Sequence, residues 1–354
     1  NWLIDESITL KISVVVPNWN GMKFVGMCLD SLARSDFDSY EVIVIDNGSV
    51  DGSREMIEEK YPQVRLIKNQ KNMGFAVACN QGIKAATGTY ISLLNNDIEV
   101  ESSWLSKLYE GMERHPECGM GTTKMMFLDQ RDVFYNTGDL FHAWSAGGGR
   151  GQGEKDVGQY DREDYVFGAC AGAGIYRRDF FEQVGIFDED FFIFAEDVDI
   201  NMRGQLQGFK CIYLPEAKVY HIGTATVGLY SDRYIYLCKR NDIFVLIRNF
   251  SLQMYFRYLW TILKHQFNDI KYFTYRGQGI VLFKSKLDAL KMLTPMLFRR
   301  FRIQSSRTVS DSKIDPLIIK SWLLIMTILN KTIYTPPRIN RKQEEKKLVF
   351  DTER

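Results

Sequence analysis

The 354-residue chain has no C-x-x-C pair and no histidine at zinc-finger spacing from a cysteine. Its six cysteines, Cys28, Cys79, Cys118, Cys170, Cys211 and Cys238, lie far apart, so a zinc ribbon is excluded and reduced core thiols are expected. No apolar run reaches the roughly 18–20 uncharged residues that a membrane-spanning helix needs. The nearest candidate, residues 317–329, is short and contains Lys320. The chain opens Asn1-Trp2-Leu3-Ile4-Asp5-Glu6, without the basic start, apolar run and small-residue cleavage site of a signal peptide, which leads to the expectation of a cytoplasmic location. Nor does a G-x-G-x-x-G follow the first apolar run, which argues against a dinucleotide oxidoreductase.

What is present suits a globular protein: 45% hydrophobic and 25% charged residues allow a sizeable core. The length predicts one large α/β domain with an appended region. The net charge of +1 hides an asymmetry, because residues 1–229 carry 21 Lys+Arg against 34 Asp+Glu, and residues 230–354 carry 24 against 10. The second part is therefore expected to face something anionic, and its aromatic and aliphatic content favours a membrane surface over nucleic acid. Attraction between the two halves explains the same split. Residues 243–250 and 254–265 mix aromatics with cations as a helix lying in a membrane interface does, although plain helix–helix packing yields the same pattern.

Along the chain, short β-branched runs alternate with helical periodicity. Strands are predicted at 11–17, 40–46, 64–67 and 88–94, with helices at 24–33, 54–61 and from 72 through Ala85. This alternation predicts a doubly wound sheet with helices on both faces. A helix at 102–115 and a strand at 119–128 follow. The glycine-dense stretch 146–153 is expected to break regular structure, so residues 135–165 read as a mobile lid or an inert excursion. Residues 166–176 read as one strand closely approached by another backbone or a ligand, with helices at 177–185 and 196–207.

Two acidic tips end buried segments. One is Asn95-Asn96-Asp97 after an apolar strand; the other is Glu196-Asp197-Val198-Asp199. Carboxylates at the carboxyl ends of strands in an open α/β sheet hold a metal or move a proton. For Glu196, Asp197 and Asp199 the helix dipole offers a purely structural explanation, and Asp199 is spaced to pair with Arg203.

Six segments in order, Val14-Val15-Val16-Pro17-Asn18-Trp19-Asn20, residues 44–53, Asn72-x-Gly74-Phe75-Ala76, Leu94-Asn95-Asn96-Asp97, Gly185-x-Phe187-Asp188-Glu189 and Glu196-Asp197-Val198-Asp199, carry a resemblance. Over residues 12–228 the chain resembles inverting family 2 glycosyltransferases of the GT-A fold, most of all rhamnosyltransferase-like members. The resemblance implies a mixed doubly wound sheet over residues 1–229, a helical, basic, membrane-associating extension over 230–335 and a charged tail over 336–354. It assigns nucleotide binding to Pro17, Asn18, Asn20, Asp46, Asn72 and Gly74, with Asp46 reading the base and Asp51 serving a turn. It assigns a divalent cation, Mg²⁺ or Mn²⁺, to Asp97 and His221, with Asn95 departing from the family's D-x-D. Asp197 becomes the general base, Glu196 orients the acceptor, and Arg240-Asn241 matches an element just beyond the catalytic domain. Arg299-Arg300-Phe301-Arg302 is a cationic cluster suited to anionic headgroups or a diphosphate-lipid, or else a solvated face.

The implied reaction moves a deoxyhexose such as rhamnose from a dTDP- or UDP-linked donor to a glycan or lipid-linked glycan at the inner membrane face, with no nucleic acid involved. Two alternatives stand: a nucleotidyltransferase of similar fold, against which the missing Gly- and basic-rich phosphate loop counts, and a degenerate sugar-binding scaffold, for which Asn95 speaks.

Overall fold

The computed structural model describes residues 10–223 and 230–319. The chain start, most of the apolar run 317–329 and the charged tail 336–354 lie outside the described residues.

Thirteen strands are described: β1 Ile12–Asn18, β2 Tyr40–Asp46, β3 Arg65–Lys68, β4 Tyr90–Leu94, β5 Ile98–Val100, β6 Cys118–Phe127, β7 Phe134–Asn136, β8 Asp139–His142, β9 Ser145–Gly149, β10 Asp164–Val166, β11 Ala173–Arg177, β12 Lys210–His221 and β13 Ile318–Ile319. The helices are α1 Val25–Ala33, α2 Ser53–Lys60, α3 Phe75–Ala85, α4 Trp104–Arg114, α5 Arg178–Val184, α6 Glu196–Leu206, α7 Asp232–Asn249, α8 Leu252–Tyr275, α9 Gly279–Lys291, α10 Leu293–Ser306 and α11 Asp311–Ile314.

The central sheet runs β10-β12-β6-β11-β4-β1-β2-β3, with β5 and β7 added at its side. β1, β2, β3 and β4 are parallel, whereas β11 lies antiparallel between β4 and β6, so the sheet is mixed. β1 is apolar on both faces: Val14 and Val16 enter one core, and Val15 enters the other. That is the side-chain alternation of a strand covered by helices on both sides. The carboxyl ends of β1, β2 and β4 meet along one edge, where the register sets Asn18 beside Asp46.

Two expectations are corrected. The glycine-dense stretch breaks regular structure only in part: β9 pairs antiparallel with β8, setting Gly148 against Leu140 and Gly149 against Asp139, and residues 150–153 form a turn. Its glycines are there for closeness, since a Cβ on Gly147 would stand 2.8 Å from Val198 Cγ2. Residues 166–176 are not one strand: β10 ends at Val166, β11 begins at Ala173, and the connecting turn approaches α6.

The helices after residue 230 share a core with the sheet domain. Phe141, Phe167, Phe191 and Met202 pack with Phe244, Phe250, Met254 and Met296. The charge asymmetry is partly consumed here: Arg248 reaches Asp188 at 2.7 Å, and Arg299 binds Asp188 at 2.9 Å and also pairs with Asp190. Arg300 donates to the carbonyls of Ile247 and Phe250. Two of the three arginines in the cluster expected to face anionic headgroups are thus committed inside the fold. Among the described residues, no helix is long and apolar enough to cross a membrane.

Candidate functional site

At the ends of β1 and β2 a buried polar network forms. Asn18 Nδ2 donates to Asp46 Oδ1 at 3.2 Å and to Ser53 Oγ at 3.1 Å, while Asp46 Oδ2 accepts from the Ser49 backbone N–H at 3.1 Å. Asp46 has no exposed surface, so a ligand reaching its carboxylate must displace Asn18 or Ser49. Asn20 sits in the left-handed region, φ 49°, and exchanges hydrogen bonds with Ser49 and Val50. Pro17 is in register with Ile45. Asp51 accepts from Ser53 at the start of α2 and from the Met22 N–H at 2.8 Å, so it binds two loops together. Asn72 accepts from the Gly74 N–H at 2.9 Å and from Asn47 Nδ2 at 3.1 Å. Gly74 has φ +93°, and a Cβ there would stand 2.7 Å from the Phe192 carbonyl oxygen, so no other residue fits without movement.

The turn between β4 and β5 delivers Asp97, and the end of β12 delivers His221, because β12 pairs with β5. His221 Nε2 lies 3.0 Å from Asp97 Oδ1, with both side chains buried. His221 Nδ1 is buried without a hydrogen-bond partner among the described residues. Ligands on adjacent vertices of a hard divalent cation, with bonds of about 2.1 Å, stand about 3 Å apart. The pair therefore fits such an ion in spacing and in donor chemistry, and two protein ligands suffice for a cation that keeps several waters. Asn95 adds no carboxylate; its backbone N–H donates to Gly172 O at 2.8 Å and fastens the strand tip to the turn before β11.

A second cluster was not anticipated from the sequence. Asp139 on β8, Cys170 and Asp197 each place a ligand atom within 4.8 Å of the others. Asp139 accepts from Asn136 Nδ2 at 3.0 Å and from Asn201 Nδ2 at 3.2 Å. Burial, then the charge of Asp197, hold Asp139 well above the usual carboxylate range. Burial also raises Asp197, against the pull of the Val198 and Ala171 N–H groups. Glu196 is raised well above its ordinary range by burial and then by Asp197, and its Oε2 is buried without a partner. The Cys170 thiol is pushed far up by burial, then by Asp139 and Asp197, and keeps its proton. With a protonated thiol among its donors, this cluster fits a hard cation less well than Asp97 and His221 do, and fits proton transfer better.

Tyr135 joins the two clusters. Its ring packs edge-on to His221 at 4.4 Å. Burial raises its phenol, followed by Cys170, Asp97, Asp139 and Asp197. The two acidic tips, far apart in sequence, therefore bracket one side chain.

α6 is aimed by strained backbone. Phe192, Phe194 and Ala195 have φ of 65°, 74° and 63°, unusual for residues with a Cβ. Such conformations cost about 1–3 kcal/mol each and persist only where the surroundings hold them. Asn241 Nδ2 on α7 lies 2.7–3.0 Å from the carbonyl oxygens of Phe191, Ile193 and Phe194. Arg240 donates to the Asp190 and Phe191 carbonyls at 2.9 and 3.0 Å. Asp199 pairs with Arg203 at 2.8 Å as its spacing predicts, and Asn249 Nδ2 donates to its other oxygen at 2.9 Å. Of the three acids in this first turn, Asp199 is structural and Glu196 and Asp197 face the cluster. A sequence signal for Asp139 did exist: in Asn136-Thr137-Gly138-Asp139 the asparagine side chain accepts from the Gly138 N–H at 2.6 Å, a turn that presents the acid.

Residues 13–185 match the family described as Glycosyl transferase family 2. The chain is 40% identical over 95 residues to the uncharacterized glycosyltransferase YibD of Escherichia coli (strain K12), covering 26% of this chain and 27% of that protein. It is 24% identical over 253 residues to the N-acetylglucosaminyl-diphospho-decaprenol L-rhamnosyltransferase of Mycobacterium tuberculosis (strain ATCC 25618 / H37Rv), covering 60% and 80%. The chain spans about a third or less of the length of curated relatives such as EpsJ of Bacillus subtilis (strain 168), 31%, and YibD, 27%. Its fold is similar to that of GalNAc-T7 solved with UDP, GalNAc and Mn2+, with a TM-score of 0.56, 18% identity and 69% of this chain and 48% of that one covered. It is also similar to S. aureus TarS 1-349, with a TM-score of 0.52, 18% identity and 84% and 90% covered. The architecture is a GT-A fold with a helical C-terminal region.

Proposed function

We propose that this chain, whose residues 13–185 match glycosyl transferase family 2, transfers a sugar with inversion from a nucleotide-diphosphate donor to a hydroxyl of a glycan or lipid-linked glycan. The observation that carries the reading is the convergence of Asp97 and His221 with Asp197 and Asp139 around Tyr135. Asn18, Asn20 and Asp46, with Pro17, Asn72 and Gly74, form the nucleotide end of the site, at the carboxyl edge of the sheet where open α/β folds bind ligands.

Asp97 and His221 would hold the divalent cation, Mg²⁺ or Mn²⁺, whose positive charge would offset that of the leaving diphosphate. Asp197 takes the proton of the acceptor hydroxyl as its oxygen attacks the anomeric carbon on the side opposite the diphosphate. Glu196 orients the acceptor hydroxyl. Burial and the charge of Asp197 raise Asp139 well above the usual carboxylate range, which favours the negative charge on Asp197 over one on Asp139. Similarity to a rhamnosyltransferase favours a dTDP-linked deoxyhexose, with UDP-linked hexoses next. The helices beyond residue 230 serve contact with the cytoplasmic face of a membrane, where a lipid-linked acceptor is presented.

Thermal unfolding with dTDP, UDP, GDP or NAD, each with and without Mg²⁺ or Mn²⁺, tests this directly. A ligand at 100 times its Kd stabilises by about 2.7 kcal/mol. Metal-dependent stabilisation by dTDP or UDP is expected, and silence from both pyrimidine diphosphates overturns the donor class. Product analysis separates the neighbouring chemistry: nucleoside diphosphate accompanies glycosyl transfer, and pyrophosphate accompanies nucleotidyl transfer.

A further inference from the structure

Of the 23 large apolar side chains that the described residues leave exposed, 17 lie between Leu252 and Phe301. The other six are scattered over residues 22–230, the ordinary condition of a soluble surface. On α8 the exposed residues Leu252, Phe256, Trp260, Leu263, Phe267 and Ile270 recur every three or four positions, so they form one stripe. Trp260 is 82% exposed and Phe256 79%. This stripe is not the one that holds the helix in place, because Met254, Tyr258 and Phe273 are buried on another side. α8 therefore carries two apolar stripes, one inward and one facing solvent.

The pattern repeats on the next two helices. On α9, Ile280, Phe283, Leu287 and Leu290 are exposed, while Leu282, Ser285 and Ala289 are buried. On α10, Leu297, Phe298 and Phe301 are exposed while Met296 is buried. α7, which packs between these helices and the sheet domain, leaves no large apolar side chain exposed. The unpartnered surface is thus confined to the three outer helices.

Charge identifies the occupant. Residues 252–306 contain ten Lys+Arg and two Asp+Glu. Both acids are engaged inside the helical region: Asp269 pairs with Lys239 at 3.0 Å, and Asp288 pairs with Lys291 and accepts from Tyr236. Lys264 and Lys271 on α8 and Lys284 on α9 are exposed and form no ion pair among the described residues. On α8, helical geometry sets Lys264 and Lys271 along one flank of the solvent-facing stripe. The cores of protein–protein interfaces are depleted in lysine. Apolar stripes flanked by lysines that can extend their amines outward match the boundary between acyl chains and anionic headgroups. No described helix is built to span, so these helices would lie in the plane of the surface.

We propose that the solvent-facing stripes of α8, α9 and α10 form a docking face for an anionic lipid bilayer, entered by Phe256, Trp260, Phe267 and Phe283 and flanked by Lys264, Lys271 and Lys284. The proposal rests on the reading of the chain as a transferase working at a membrane, and specifies which surface makes the contact. The face lies outside the nucleotide and carboxylate site, so docking and sugar transfer are separable.

The test is co-sedimentation of the full chain with vesicles of phosphatidylglycerol and phosphatidylcholine, compared with vesicles of phosphatidylcholine alone, at low and high salt. Binding is expected to the anionic vesicles and to weaken with salt. Trp260→Ser and Phe267→Ser should each cost roughly tenfold in partitioning, and Lys264→Glu with Lys271→Glu should abolish the preference for anionic lipid. These side chains are exposed, so circular dichroism and nucleotide-dependent thermal stability should match the parent. Equal binding by the parent and the serine variants overturns the assignment. So does absence of binding, whether a defined dimer that Trp260→Ser renders monomeric occupies the face or residues 320–354 cover it. Docking that fails while nucleotide binding and transfer to a soluble acceptor persist refutes the face and leaves the function standing; the converse result refutes the function and leaves the face.

Discussion

At the scale of single residues, three neighbouring carboxylates, Asp139 and Asp199 buried and Asp197 partly exposed, have different assignments because their neighbours differ. Asp199 faces two arginines, Asp197 faces backbone N–H groups and another acid, and Asp139 faces two asparagine amides and Asp197. Asp197→Asn should lower the rate of transfer by about 10²–10⁴-fold, the usual worth of a general base, while titration calorimetry finds nucleotide binding retained. Asp139→Asn should behave oppositely. Burial and Asp197 raise Asp139 well above the usual carboxylate range and so favour its neutral form, which an asparagine resembles, so steady-state kinetics should find the rate within a few-fold of the parent. Because burial raises Asp197, the acid limb of its rate profile should lie above the ordinary aspartate value of about 3.9, with activity lost as pH falls through it. His221→Ala should raise the metal concentration needed for half-maximal activity. An unchanged metal requirement would remove His221 from the cation site.

At the scale of elements, α6 is the part that the surrounding structure must hold in place. Three left-handed residues precede it, Asn241 and Arg240 on α7 grip the carbonyls of Asp190, Phe191, Ile193 and Phe194, and Asp199 ties it to Arg203, Arg248 and Asn249. Asp199→Asn should destabilise the protein by about 3–5 kcal/mol in urea unfolding, because Arg203 and Arg248 would remain buried without that carboxylate. The pH dependence has a definite sign. Burial acts to raise Asp199, but Arg248 and Arg203 outweigh it and hold the folded-state value below the usual range. Its contribution is therefore complete above about pH 4 and lost as pH falls through the folded value, so the difference between parent and variant should shrink in acid. The glycine-dense stretch carries the related lesson. Glycine permits disorder and close approach alike, and only the pairing of β9 with β8 and the proximity of Val198 to Gly147 decide between them.

At the scale of the whole molecule, the opposite charges of the two halves serve two ends. Arg248 and Arg299 answer Asp188 across the junction, whereas Lys264, Lys271 and Lys284 remain on the outer helices beside exposed aromatics. Charge counts by segment cannot separate these uses, because a sum does not record which face of a helix each cation occupies.

Local pattern was enough for the alternation of β1 to β4 with α1 to α3, and the apolar runs of those strands already implied a sheet covered on both faces. The ordered motifs, through the resemblance they carry, set Asp97 with His221, which the fold brings to 3.0 Å, and named Glu196 and Asp197 as the acids proposed to act. For Asp139 the Asn136-Thr137-Gly138 turn marks only that the acid is presented; what it meets depends on β8 lying against the turn that holds Cys170 and on α6 being turned by three strained residues. Nor could Arg299 and Arg300 be told from surface cations, because what binds them, Asp188, Asp190 and the carbonyls at the end of α7, lies 50 or more residues away in sequence. Periodicity specifies the face a side chain takes on its own element, and only tertiary packing specifies what that face meets.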